Sequence, residues 1–547
     1  ANGMKYRFQW NFPIFFSEHN SKKLFALSNQ VHVSENEGQN WKIISPDLTR
    51  NDSNKLKSSG GPITQDNTGV EYYSTLFAAC ESKINQGELW VSSDDGLVHM
   101  TTNMGKSWVN VTPNEAPKFL MYNSIESTLF KEGKVYLAGT AYKSGDFNPY
   151  MYKTDDYGKS WEKITSGIPN EHFTRVLRAD PAREGLLYAG TEYGIYISYD
   201  DGESWNSFQK NLPLVPITDI KIKDNSLIVA TQGRGIWILD DLTVLHQLNK
   251  EIYDEEITLF KPKNTYRLPG SGGVASKVAG TNLENGVIIY YNLKSYNLEK
   301  DSVSISFYDP DGKTLKTYNN YSSDNKLTLK KGSNKFVWDT KYKGPEILEG
   351  MIFWSASFSG AKASPGKYKV ELSKNGNKKS QTFDILINPN SEATIKDIEM
   401  QVSFVNSIND LVDQAHKTIK KIRKINSSLI QFEETYQNSK QLSELILKSK
   451  KLRDKLSKIE KTLYQTQNQS NQDPLNYPIR LTNKLGHLNS LVSYNDFSPT
   501  NQDMEVKAEL ADKVKIQLNA FNVLIEKDLK IFNNEFSELK IDYLKID

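Results

Sequence analysis

Four carboxylate or carboxamide side chains recur in the pattern [Ser/Thr]-x-[Asp/Asn]-x-Gly-x-[Ser/Asn]-Trp. They are Asn36 with Gly38 and Trp41, Asn103 with Gly105 and Trp108, Asp156 with Gly158 and Trp161, and Asp200 with Gly202 and Trp205. An Asp repeated in this way could ligate a metal or move a proton. The spacing points to a different use. Asp and Asn accept hydrogen bonds from turn amides, and Ser and Thr hydroxyls do so more weakly. Gly takes the positive φ that a tight corner needs. The Trp then opens the next strand and fills the gap between sheets, so each motif reads as a stapled hairpin corner.

Carboxylates outside these corners bear on a different chemistry. Glycoside hydrolysis needs two carboxyl groups roughly 5 to 10 Å apart. Glu71, Asp94, Asp95, Asp146 and Glu192 are the residues to consider, although Asp94-Asp95-Gly96 reads as a tight turn. Arg175 and Arg178 fall on one expected innermost strand, Glu71 and Tyr72 on another, and Arg234 at a hairpin. Facing a central tunnel, these five would be ligand-binding candidates. An arginine pairing with a neighbouring sheet is the plainer reading of each basic residue. The seven His form no metal motif, and Gly233-Arg234-Gly235 is too short for a nucleotide fingerprint. No metal or cofactor is expected. The single Cys80, in an apolar run, reads as a small core residue.

The elements that carry these residues repeat. The motifs begin at positions 34, 101, 154 and 198, and each follows two strand-like runs. A fifth unit, Ser226 to Leu239, ends in Asp240-Asp241 with no Gly or Trp after it. Repeats of roughly 40 to 50 residues with four short strands each read as β-propeller blades, here about five over residues 1–246.

The motif itself is similar to the Asp-box of sialidases, two-propeller xyloglucanases and sortilin-type receptors. The wider run includes Ser45-Pro46-Asp47-Leu48-Thr49-Arg50 and Thr231-Gln232-Gly233-Arg234-Gly235-Ile236-Trp237. It resembles the C-terminal half of large bacterial BNR-repeat proteins with a sortilin-like propeller, often labelled glycosyl hydrolases. Such relatives carry further repeats before the point where this chain begins. The resemblance therefore implies an incomplete propeller, closed by a protein partner or a missing N-terminal segment. It also implies an exported bacterial protein, in the periplasm, at the cell surface or secreted. Sialidases place their first arginine in a Phe-Arg-Ile-Pro-like segment. Phe173-Thr174-Arg175-Val176 is not that motif.

Residues 257–389 continue as β-structure without the motif, and about seven strands there suit an immunoglobulin-like sandwich. From 391 to 547 the composition turns to Lys, Leu, Ile, Glu, Gln and Asn. Phe404, Ile408, Leu411, Ala415, Ile419 and Ile422 keep helical spacing, so a four-helix bundle is expected. The fold class is thus mainly β plus α.

Lys plus Arg number 68 against 66 Asp plus Glu, a net charge of +2, which gives nucleic acid no basic field to follow. No run approaches the ~20 apolar residues of a membrane span. With no recognisable catalytic set, the chain reads first as a non-catalytic extracytoplasmic binding or scaffold protein whose propeller engages a protein, peptide or glycan. The alternatives are a xyloglucanase- or sialidase-like glycoside hydrolase and a structural subunit of a larger surface assembly.

Overall fold

The computed structural model describes residues 5–58, 60–65, 68–249, 251–269, 283–322 and 325–539. They form two compact units, Ala1–Leu248 and Asn249–Asp547.

The first unit is a succession of small antiparallel sheets, each built from strands in chain order. Blade I holds β1 (Ile14–Phe16), β2 (Leu24–Leu27), β3 (Val31–Ser34) and β4 (Lys42–Ile43). Blade II holds β5 (Leu76–Glu81), β6 (Leu89–Ser93), β7 (Val98–Thr101) and β8 (Val109–Asn110). Blade III holds β9 (Met121–Ser127), β10 (Val135–Ala141), β11 (Asp146–Thr154) and β12 (Glu162–Lys163). Blade IV holds β13 (Thr174–Ala179), β14 (Leu187–Thr191), β15 (Gly194–Ser198) and β16 (Asn206–Ser207). Blade V, among the described residues, has three strands, β17 (Ile217–Lys223), β18 (Ser226–Thr231) and β19 (Ile236–Leu239).

From blade II to blade V, the first strand of each sheet lies against the first strand of the next. The cores lie between sheets. Phe25 and Leu27 of blade I meet Leu76 and Val91 of blade II. Trp90 and Met100 meet Tyr122 and Leu137, and Ala138 and Met151 meet Leu177 and Ala189. Tyr188 and Ile197 meet Ile217 and Leu227. Alternation along each strand sends side chains to both faces, so a middle blade is buried on both sides. A propeller fold fits this arrangement. Cys80 packs, partly buried, against the core between blades II and III.

Each repeated corner closes on itself in the same way. The Ser34, Thr101, Thr154 and Ser198 hydroxyls accept the N–H of Gly38, Gly105, Gly158 and Gly202 at 2.9, 3.1, 2.9 and 2.9 Å. The side chains of Asn36, Asn103, Asp156 and Asp200 accept the N–H four residues on at 2.9, 3.0, 2.9 and 2.9 Å. In blades II to IV the Trp indole crosses to the preceding blade: Trp108 donates to the Ile44 carbonyl, Trp161 to Val111 and Trp205 to Ile164.

The second unit begins with two sheets around one core. One comprises β20 (Ile257–Leu259), β22 (Val287–Leu293) and β25 (Gly332–Trp338). The other, in spatial order, comprises β21 (Thr265–Tyr266), β27 (Asn377–Leu386), β26 (Gly366–Lys374), β23 (Val303–Tyr308) and β24 (Thr314–Asn319). Ile289, Tyr291, Ile305, Phe307, Trp338, Val370 and Phe383 fill the space they share. The helical region follows: α1 (Ile395–Thr435), α2 (Ser443–Leu463), α3 (Leu481–Val492) and α4 (Asn501–Val523), the last running through a π-helical segment, Leu524–Leu529, into α5 (Lys530–Glu538). Thr394 and Thr500 each start a helix with a capping box, exchanging bonds with Asp397 and Asp503. Arg267 ties the parts of this unit together. It is buried, donates to the Ala363 carbonyl and the Gln401 side chain, and pairs with Asp496.

Candidate functional site

The first strands of blades II to V supply the charged side chains that converge. Glu126 and Arg178 are each the penultimate residue of their strand, β9 and β13. Arg178 Nη2 lies 2.8 Å from Asp219 Oδ1 on β17, and its Nε lies 3.9 Å from Glu126 Oε2. Its Nη1 donates to Ser124 Oγ at 2.6 Å and its Nε to the Ile220 carbonyl at 2.9 Å. Lys83, just past β5, closes the other side of Glu126 at 2.6 Å. Two carboxylates thus share one guanidinium. Their oxygens therefore lie no more than about 9 Å apart, inside the upper limit of the spacing glycosidases use. Glu126 is nearly buried, whereas the Asp219 side chain is 62% exposed.

A second group sits where blades III and IV adjoin, on the starts of β11 and β13 and the turns beside them. Arg175 pairs with Glu192 at 2.6 Å and lies over the rings of Phe173 and Tyr142 at 5.2 and 5.9 Å. Tyr142 and Phe173 stack at 5.1 Å, and Phe147 tilts against Phe173. His172 stacks on Tyr193 at 4.8 Å and bonds the Tyr196 hydroxyl, and burial lowers its pKa. Phe147 and Tyr193 remain exposed, so aromatic faces beside an arginine–carboxylate pair look outward.

The five expected ligand residues are not brought together. Arg175 and Arg178 share β13, but a bulge between Thr174 and Val176 and their three-residue spacing send them to different partners. Glu71 and Tyr72 are not on an innermost strand, which corrects the expectation from sequence. The chain bends at Ser74, whose φ is +61°, before β5 begins at Leu76. Glu71 forms an isolated bridge with Gln9 and accepts the Trp10 indole N–H at 2.8 Å, while Tyr72 is buried. Arg234 is exposed on the β18–β19 turn and donates to the Gly233 carbonyl.

The remaining carboxylates are committed to turns. Asp94 takes both the N–H and the hydroxyl of Thr75. Asp95 takes the Ser93 hydroxyl and the Arg50 N–H. Burial raises the pKa of Asp146, but bonds from Tyr150 and Asn148 bring it below the usual carboxylate value. The Ser160 hydroxyl and N–H hold Asp156 down to about 2, which unsuits it as an acid. Among the described residues no three His, Cys, Asp or Glu side chains gather as a metal cage would require.

Reasoning from sequence missed Lys83, Glu126 and Asp219. A signal for Glu126 was available: aligning first strands by their ends puts it level with Arg178.

No family model matches the chain. A stretch of 111 residues is 29% identical to the oligoxyloglucan-reducing end-specific xyloglucanase of Emericella nidulans, covering 19% of this chain and 13% of that enzyme. Among solved structures, the chain is similar to a GH74 xyloglucanase from Xanthomonas campestris (TM-score 0.33, 12% identity, 67% of this chain and 63% of that one). It is also similar to the GH74 enzyme of Niastella koreensis (TM-score 0.27, 13% identity, 42% and 29%). A third is YCF48 from Cyanidioschyzon merolae (TM-score 0.24, 17% identity, 30% and 54%). Among the described residues no helix is long and apolar enough to cross a membrane.

Proposed function

We propose that this chain is part of a glycoside hydrolase of the xyloglucanase kind, acting outside the cytoplasm on a xyloglucan-type polysaccharide. The observation that carries this reading is the 29% identity over 111 residues to a xyloglucanase. The geometry supports it with a carboxylate pair and a place for sugar rings. Glu126 and Asp219 are the pair: one would protonate the leaving oxygen and the other act as base or nucleophile. Glu126 lies between Lys83 and Arg178. The apolar faces of sugar rings would stack on Phe147 and Tyr193, with Arg175 and Glu192 bonding hydroxyls. The two-sheet segment, read as immunoglobulin-like, and the helical region would act as spacer and docking parts.

A specific observation favours a second reading, a non-catalytic binding protein with a sortilin-like, Asp-box propeller. Both carboxylates are engaged by cations, as structural ion pairs are. Incubation with xyloglucan oligosaccharides, reading both new reducing ends and binding heat, separates the two. Hydrolysis that falls at least about a hundredfold in Glu126→Gln and Asp219→Asn supports the enzyme. Binding without hydrolysis supports the second reading, and neither signal removes the glycan from both.

A further inference from the structure

Among the described residues blade V has no fourth strand like those of the other blades, and the chain's own repeats show what fills that place. In blades I to IV, the residue after the fourth strand donates its N–H to the third strand. Ile44 bonds the Val31 carbonyl, Val111 that of Val98, Ile164 that of Met151 and Phe208 that of Ile195, each at 2.9 Å. Gly194-Ile195-Tyr196-Ile197 in blade IV corresponds to Gly235-Ile236-Trp237-Ile238 in blade V. Ile236 therefore stands where Ile195 does. Among the described residues its carbonyl accepts no such bond, and Ile236 and Ile238 are 71% and 58% exposed.

Blade IV carries the other half of the same site. The carbonyls of Ile44, Val111 and Ile164 each accept an indole N–H from the next blade's Trp, at 2.9, 2.7 and 2.8 Å. Phe208 is next in that series. Among the described residues no indole reaches its carbonyl; Trp237 aligns with Tyr196 rather than with the corner Trp, and donates to the Arg234 carbonyl. An open strand edge and an indole acceptor thus lie side by side, at the register that four filled copies define.

We propose that the β19 edge binds an extended segment of a different polypeptide, one carrying a Trp followed by a short strand. The strand pairs with Ile236–Leu239, and the indole donates to the Phe208 carbonyl. Strand addition to an open edge is a general mode of recognition, with main-chain bonds giving affinity and a side-chain pocket giving specificity. A second copy of this chain is a poor occupant. Its own Trp-led strands, β4, β8, β12 and β16, are each already paired within a blade. The proposal does not depend on whether the protein cleaves glycans.

The experiment uses the intact chain and a synthetic peptide with the sequence from Ser198 to Phe208. Amide hydrogen exchange is followed over Ile236–Leu239 by mass spectrometry at about 1 mM peptide. The expected result is exchange slowed about tenfold or more by this peptide. The same peptide with Trp205→Ala leaves it unchanged. Three results overturn the proposal: no slowing, equal slowing by both peptides, or slowing produced by raising the chain concentration alone, which would make a second copy the occupant.

Discussion

Replacing Asp94 with Asn should stabilise the propeller unit by an amount that depends on pH. Asp94 is 5% exposed and sits at the β6–β7 turn. Burial drives its carboxyl from an ordinary 3.8 up to about 7, against the pull of the Thr75 N–H and hydroxyl, and the Asp95 charge adds to the rise. Between pH 4 and 7 the folded chain therefore holds a proton that the unfolded chain has released. Stability falls as pH rises through that window, by about 1.4 kcal/mol per pH unit, or about 4 kcal/mol in all. The penalty is fully present above pH 7 and absent below 3.8. Asn carries no charge, and its amide can still accept the Thr75 N–H and donate to the Thr75 hydroxyl. Urea unfolding of the intact chain, followed by tryptophan fluorescence, reads the effect, since most of the tryptophans lie in the first unit. Asp94→Asn should match the parent near pH 4 and exceed it by up to about 4 kcal/mol at pH 8. Parallel pH profiles for the two proteins would refute the argument that burial controls this carboxyl.

Two further pairs of substitutions test the packing. Gly105 and Gly312 share the same backbone conformation, with φ of +81° and +82°, but a Cβ on Gly105 would lie 2.2 Å from the Ile44 carbonyl oxygen, while one on Gly312 meets nothing within 4 Å. Gly312→Ala should cost about 1 kcal/mol and Gly105→Ala about 3 kcal/mol or more, and equal losses in urea unfolding would show that the close approach of blades I and II does not decide the matter. Arg267→Met keeps the apolar stem but leaves Asp496 and Gln401 facing a thioether. A loss of about 3 to 5 kcal/mol in the second unit is expected, with a smaller loss for Asp496→Asn, and a double-mutant cycle without coupling would refute the buried pairing.

The repeated corners are legible in the sequence because every bond that shapes them falls within a few residues. Thr154, Asp156, Gly158 and Ser160 meet whatever the rest of the chain does. The helical region is legible for a similar reason: residues such as Ile408, Val412, Ala415 and Ile419 hold a constant period, and all four are buried.

Only the tertiary structure decides which charges meet. Glu126, Arg178 and Asp219 lie on successive first strands some 40 to 50 residues apart, and the loops between those strands differ in length. No period in the sequence reports that they share one guanidinium. Glu71 and Tyr72 lie before β5 rather than on it, and the chain between takes a positive φ at Ser74, which a Ser does not advertise. The sequence by itself determined the corners, the blades and the helices, because those depend on hydrogen bonds and apolar spacing over short range. The carboxylate pair, the aromatic face beside Arg175 and the open edge at Ile236–Leu239 depend on how sheets stack, and a side chain's partner across two sheets is set by that stacking rather than by its neighbours in the chain.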